Sequence, residues 1–265
     1  ANNVAVGKAA LENNTTGQSN TAVGLNALND NTTGQQSVAI GFGALGSNTT
    51  GDYNVAVGTA VLNSVTTAED NVGIGRAVLY DNTAANNTGV GSLALYENTT
   101  GDANTGLGRS ALQGNTTGHR NVAVGGYALQ GNTTGLNNTA VGYQALNNNT
   151  TGNYSVAIGK GALSAATTGS NNNCLGVNAG LTLTSGGENV ALGSNTLRGT
   201  AGVTGTYNVA VGNGALGDIT GGSENIAIGY TALGNNTTGT RNVAVGTDAL
   251  DTATTANDNT AIGHD

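Results

Sequence analysis

The chain has 265 residues, with 45 Gly, eight Tyr, one Phe and no Trp, Met or Pro, so it has no material for an aromatic core. Only 8% of residues are charged and the net charge is -8, the wrong sign for neutralising phosphates or docking on anionic lipid. No apolar run approaches the roughly 20 residues of a spanning helix, so neither nucleic acid nor membrane insertion is expected.

One pattern dominates from end to end. A glycine that closes an "AVG"-like triplet recurs sixteen times, from Gly7 to Gly263, at intervals of 17 apart from one step of 16 (Gly75 to Gly91) and one of 19 (Gly193 to Gly212). Taken in chain order, each period opens on Asn four residues before this anchor, replaced only at Ser37 and Ser155. A strand follows. Its residue two before the anchor is always small: Ala, Gly at Gly73, Gly89 and Gly106, or Cys174. The residue just before the anchor is always Val, Ile or Leu, which predicts burial. After the glycine turn comes a second apolar pair, usually "AL", read as another short strand. A loop typically spelled "NTTG" then returns the chain to the next period. Two strands of about five residues and two turns fill such a period, whereas the Gly and Asn-Thr-Thr-Gly punctuation interrupts every helical window.

Charged side chains avoid the anchor, the four positions before it and the "AL" pair, a phase sorting that a disordered chain has no reason to show. The expected fold is all-β: a parallel β-solenoid, or β-roll, of about sixteen 17-residue coils in one repeat domain over 1–265. At roughly 4.8 Å per coil it would be about 75 Å long. Identical residues then stack in columns. In the representative copy "NTAVGYQALNNNTTG" (138–152), Asn138, Ala140, Val141, Gly142 and Leu146 form the structural ladder, and the Asn column hydrogen-bonds along the stack. Neighbouring strand residues point to opposite faces, so two orientations stay open. Either the aliphatic column is inside and the small column outside, or the reverse. Both leave a surface that asks for another chain, so self-association through small-residue and aliphatic ladders is expected.

Little in the sequence specifies chemistry. His119 and His264 have no phased acid or nucleophile beside them, and Cys174 sits in a small-residue column. "GNYSVAIGKGA" (152–162) lacks the Gly-Lys-Ser/Thr of a phosphate loop. Asp30, Asp52, Asp81 and Asp102 scatter over loop columns and make no metal ladder. No catalytic residue, metal or cofactor is assigned, and an enzyme is not expected. "NTT" fits the N-glycosylation acceptor pattern at Asn14, Asn31, Asn48, Asn98, Asn115, Asn132, Asn149 and Asn236, but turn chemistry explains it as well. Paired Thr columns raise ice binding, although adjacent Thr residues would present only one outward rank. Tyr80, Tyr96, Tyr143 and Tyr230 are the candidates for partner contact; Tyr80 and Tyr96 flank the 16-residue step, where packing competes with recognition.

"YSVAIGKGAL" (154–163), "QSVAIGFGAL" (36–45) and "ENIAIGYTAL" (224–233) resemble the head repeats of YadA-like trimeric autotransporter adhesins. Related repeats occur in bacteriophage tail fibres. The resemblance implies a left-handed parallel β-roll, assembled as a trimer and displayed on a cell or virion surface. Here the period is longer than the usual head repeat of about 14 residues, and the extra length lies in the "NTTG" loop. The functional expectation is a structural protein of an extracellular fibre, filament or adhesin, self-associating as a trimer or filament and meeting a host-surface receptor or glycan. A tail-fibre shaft or receptor-binding segment is the main alternative, and an ice-binding solenoid using its Thr ladders the other. The chain begins at Ala1 rather than Met and both ends lie in the strand phase, which fits a segment of a longer rod or a subunit stacking end to end.

Overall fold

The computed structural model describes residues 2–264, and the chain divides into two compact units, Ala1–Thr134 and Gly135–Asp265. Unit 1 holds β1 (Val4–Val6), β2 (Thr21–Val23), β3 (Val38–Ile40), β4 (Val55–Val57), β5 (Val72–Ile74), β6 (Thr88–Val90), β7 (Thr105–Leu107) and β8 (Val122–Val124). Unit 2 holds β9 (Thr139–Val141), β10 (Val156–Ile158), β11 (Asn173–Leu175), β12 (Val190–Leu192), β13 (Val209–Val211), β14 (Ile226–Ile228), β15 (Val243–Val245) and β16 (Thr260–Ile262). Within each unit every strand pairs in parallel with the next, and like columns meet, as in Ala22 opposite Ala39 and Ala157 opposite Cys174. The architecture is an all-β, all-parallel β-solenoid with one strand per coil.

Two local expectations are corrected. Each strand has three residues, not about five, and the "AL" pair is not a second strand. Leu45, Leu62, Leu146 and their counterparts have φ between about +49 and +55°, the left-handed region. That conformation costs an L-residue about 1–2 kcal/mol. Full burial of a leucine side chain, about 1.5–3 kcal/mol, offsets it. The bent segment keeps its coil-to-coil hydrogen bonds, for Leu45 N–H donates to the Val61 carbonyl at 3.0 Å and Leu146 N–H to the Ala162 carbonyl at 2.9 Å. Curvature is therefore obtained without orphaning backbone groups.

The inside of a coil is built from five side chains: the small strand residue, the Ala-Leu pair and two asparagines, one of them Ser in the coils of Ser37 and Ser155. Ala39, Ala44, Leu45 and Asn48 are all fully buried in one coil. With Leu and two amides filling so narrow a section, only a methyl fits on the strand's inner side. The aliphatic residues on either side of it must then point outward. Burial of the column before the anchor is thus overturned: Ile40, Ile74, Leu107, Ile158, Leu192 and Ile228 are all among the exposed large hydrophobics. Of the two orientations left open, the small residues are inside.

Exceptions at Gly73, Gly89 and Cys174 follow the volume of their neighbours, whereas Gly106 has the usual Ala and Leu around it. A methyl added at Gly73 would overlap Val61 Cγ1, and one at Gly89 would come within 2.5 Å of Val78 Cγ1, where Val replaces the usual Ala. Cys174 shows the reverse compensation. Its coil has Gly180 in place of the corner Leu, and a Cβ there would stand 2.8 Å from Cys174 Sγ and 3.0 Å from Leu163 Cδ2. The thiol is filling part of the missing leucine's space. We expect Cys174→Ala to cost about 1 kcal/mol, like the loss of one methylene, and Gly180→Leu alone about 1–3 kcal/mol through overpacking. In the double variant the two costs should cancel in part, with a coupling of about 1 kcal/mol or more in urea melts. Strict additivity would show that the two sites do not share one cavity.

Candidate functional site

The outward side of the strands is the most distinctive surface of the molecule. Alternation along the chain exposes the residue five before the anchor, buries the Asn, exposes the aliphatic or Thr residue that opens the strand, buries the small residue and exposes the last aliphatic. In unit 1, β3 has Val38 half-buried, Ala39 buried and Ile40 exposed; in unit 2, β10 repeats this with Val156, Ala157 and Ile158. Stacked at roughly 4.8 Å, these strands give each unit a flat strip whose outer column is Val, Ile or Leu in every coil. The small column lies inside, so it cannot be the surface through which copies associate. Of the two restricted columns, the aliphatic one faces outward.

The representative ladder residues divide accordingly. Asn138 is buried, its Oδ1 accepting the Ser155 N–H at 3.0 Å and its Nδ2 donating to the Gly152 carbonyl at 2.8 Å. Ala140 and Leu146 are buried, Gly142 turns the chain at φ +134°, and Val141 is half-buried on the outer face. Asparagine in the opening column thus supplies internal connections.

The "NTT" asparagines are also internal. Asn31, Asn48, Asn98, Asn115, Asn132 and Asn236 are fully buried, Asn149 is buried at 1% exposure and Asn14 is half-buried. Asn48 Nδ2, for example, donates to Asn31 Oδ1 at 2.9 Å and to the Gly51 carbonyl at 3.0 Å. A glycan on a buried amide is incompatible with the closed coil, so turn and ladder chemistry accounts for the motif. Its glycine has a matching reason, for a methyl at Gly34 would overlap Asn31 Oδ1. Where the Asn is absent the glycine is lost at Ala68 and Ala256 but kept at Gly169, Gly186 and Gly222, where an added Cβ would still overlap the carbonyl of the next coil.

The two threonines have different surroundings. Thr32 Oγ1 donates to the Thr49 carbonyl at 3.0 Å and Thr116 Oγ1 to the Thr133 carbonyl at 3.0 Å, so the first hydroxyl is spent along the stack. The second, as at Thr33, Thr50 and Thr117, is exposed. One outward Thr rank results, not a two-rank surface.

The tyrosines split into two groups. Tyr80 and Tyr96 are half-buried and stacked on each other, with centroids 5.2 Å apart and rings inclined by 17°. Their mutual packing bridges the 16-residue step. Tyr143 and Tyr230 are 48% and 58% exposed, directly after their anchors at one edge of the strip. Phe42, Leu25 and Val177 occupy the same column and are exposed too, a set that sequence reading missed. The mixed character of that column, beside an invariant glycine, was the available signal. Tyr53, Tyr154 and Tyr207 stand exposed at the opposite edge.

Other chemistry is sparse. His119 Nδ1 lies 3.4 Å from Asp102 Oδ1 on the surface, and His264 is exposed. Cys174 is buried, and desolvation pushes its thiol up to about 12, away from nucleophilic use near neutral pH. Arg241 and Asp258 form an exposed bidentate pair, which holds the Asp258 carboxyl below its ordinary range. Among the described residues no group of three His, Cys, Asp or Glu could hold a metal ion. None of the helices required for membrane crossing is present among them either, since no helix is long and apolar enough. A groove of about 380 Å³ in unit 2 runs over Gly214, Gly217 and Gly234 between Arg198, Asp218 and Asp251. Three glycines leave it shallow, and its other lining residues are polar or charged with no large apolar side chain among them, unlike the apolar lining usual for small-molecule sites. Comparison of the chain with protein-family models, with curated proteins and with solved structures finds no match in any of the three.

Proposed function

We propose that this chain is a structural, non-enzymatic protein of an extracellular or surface-displayed fibre or adhesin, assembled from copies of itself through the aliphatic face of the solenoid. One observation carries this reading. An all-parallel stack of coils satisfies its own backbone and buries its Asn, Ala and Leu columns internally, yet leaves a continuous Val/Ile/Leu column in water. Soluble monomers rarely expose so extended an apolar strip. Eight coils at about 4.8 Å and a face about 15 Å wide give about 600 Å² per unit. That is close to the roughly 800 Å² per partner of a standard interface for each unit taken alone.

The likeness to adhesin head repeats makes three the expected number of copies, and the same geometry would serve a tail-fibre shaft. A receptor or glycan would then be met by residues that vary between coils, such as Tyr143 and Tyr230, while invariant columns hold the rod together. Sedimentation equilibrium tests the reading. We expect a mass that is a multiple of 25.8 kDa at micromolar concentration. A single-chain mass at several hundred micromolar would refute it.

A further inference from the structure

We propose that the two edges of the aliphatic face are charged so that a second copy docks parallel and in register, the cationic edge of one on the acidic edge of the next. This rests on the self-association reading above and adds to it the polarity, the register and the residues that set them.

The position directly after the anchor, at one end of the strand, carries Lys8, Arg76, Arg109 and Lys160 and no carboxylate in any coil. At the other end, five and six residues before the anchor, the charged residues are mostly acidic: Asp52, Glu69, Asp70, Asp102, Glu188, Glu224 and Asp258 against Arg120 and Arg241, the last of which is paired with Asp258 along its own edge. In unit 1 the two edges match within single coils. The coil anchored at Gly75 has Glu69 and Asp70 before β5 and Arg76 after it; the coil anchored at Gly108 has Asp102 before β7 and Arg109 after it. All five side chains belong to exposed residues. The strand lies between them, so they cannot meet within one chain. Among the described residues the ion pairs are His119 with Asp102 and Arg241 with Asp258, so neither Arg76 nor Arg109 has an intrachain carboxylate partner. Arg109 lies only against the Tyr127 ring, 5.5 Å from its centroid. Unit 2 offers a cation–π version, with Tyr154 before β10 and Lys160 after it.

Symmetry turns this pattern into a polarity. Rotation about an axis running along the stack sets two faces together with chains parallel, coil against the same coil, and the leading edge of one strand against the trailing edge of the other. Arg76 then faces Glu69 and Asp70, and Arg109 faces Asp102. Rotation about an axis across the stack makes the chains antiparallel and sets cationic edge on cationic edge. Like charges at an interface are costly, so the edges select the parallel arrangement.

The test uses the full chain, in which buried Cys174 stays silent to mild oxidation. One preparation carries Arg76→Cys and the other Asp70→Cys; each is oxidised alone and after mixing and re-equilibration. Parallel register predicts a cross-linked heterodimer in the mixture and none in either preparation alone. Homotypic cross-links, or an oligomeric mass with no heterotypic cross-link, would overturn polarity and register while leaving self-association intact. A wild-type chain that stays monomeric would overturn both. As a second arm, Arg76→Glu with Arg109→Glu should weaken association about tenfold or more at low salt, and adding Asp70→Lys with Asp102→Lys should restore it. Unchanged association in the first of these variants would contradict the proposal.

Discussion

Gly142→Ala is expected to destabilise unit 2 by about 3 kcal/mol or more. The backbone there has φ +134°, a conformation that costs residues with a Cβ about 1–3 kcal/mol. Space is lacking as well. A Cβ on Gly142 would stand 2.6 Å from the Gly159 carbonyl oxygen and 2.7 Å from its carbon, both backbone atoms of the next coil that cannot swing away. Relief would require the coils to part, which would stretch the bonds that tie Thr139–Val141 to Val156–Ile158. Gly221 is the control. It has no positive φ, and nothing lies within 4 Å of an added Cβ, so Gly221→Ala should stay within about 0.5 kcal/mol of wild type. Denaturant midpoints of the two variants, compared at equal slope, decide it. Equal stability would mean that the anchor glycine is not set by close approach of coils.

Ile158→Asp combined with Ile228→Asp is expected to leave the coil intact and abolish assembly. Both isoleucines point outward and are about two-fifths exposed, at 39% and 40%. Removing them opens no cavity, and a carboxylate on the outer face stays hydrated in a single chain. In an assembly each Asp would lose about 2 kcal/mol of apolar burial and bring a charge into the interface. For two sites that is about 4 kcal/mol, roughly a thousandfold in the association constant at 1.4 kcal/mol per tenfold. Circular dichroism and the thermal midpoint should change little while the sedimentation mass falls to one chain. Loss of the fold itself would contradict the outward placement of this column. The inward counterpart, Ala157→Asp, should do the opposite and unfold the coil, because Ala157 is fully buried with no partner for a charge.

Period, parallel stacking and the Asn column were legible in the sequence because a single column admits one residue type for one local reason. Asn138 is an example: its amide spans from Ser155 to Gly152, whereas Ser155 in the same column accepts the Asn172 N–H but is too short to span both sides. Which face is inside was not legible. Ala140 and Val141 are both restricted, the first by lack of room beside Leu146 and the second by the outer strip, and restriction alone does not say which one is buried. The second strand was misread for a similar reason. "AL" has an apolar pattern, but Leu146 sits at φ +51°, where a bulky residue is uncommon, and only the need to fill the inner corner explains it. The edges of the strip were least visible, since Arg76 and Asp70 acquire a relation only when the strand between them is known to face outward.

Cover of the aliphatic face by another copy of the chain is read residue by residue by footprinting with a photoactivated carbene. Labelling at Ile40, Ile74, Ile158 and Ile228 should fall as protein concentration rises through the association range, while exposed Thr33, Thr50 and Thr117 remain labelled throughout. Labelling of the four isoleucines that stays constant from dilute to concentrated solution would mean that no second copy covers this face.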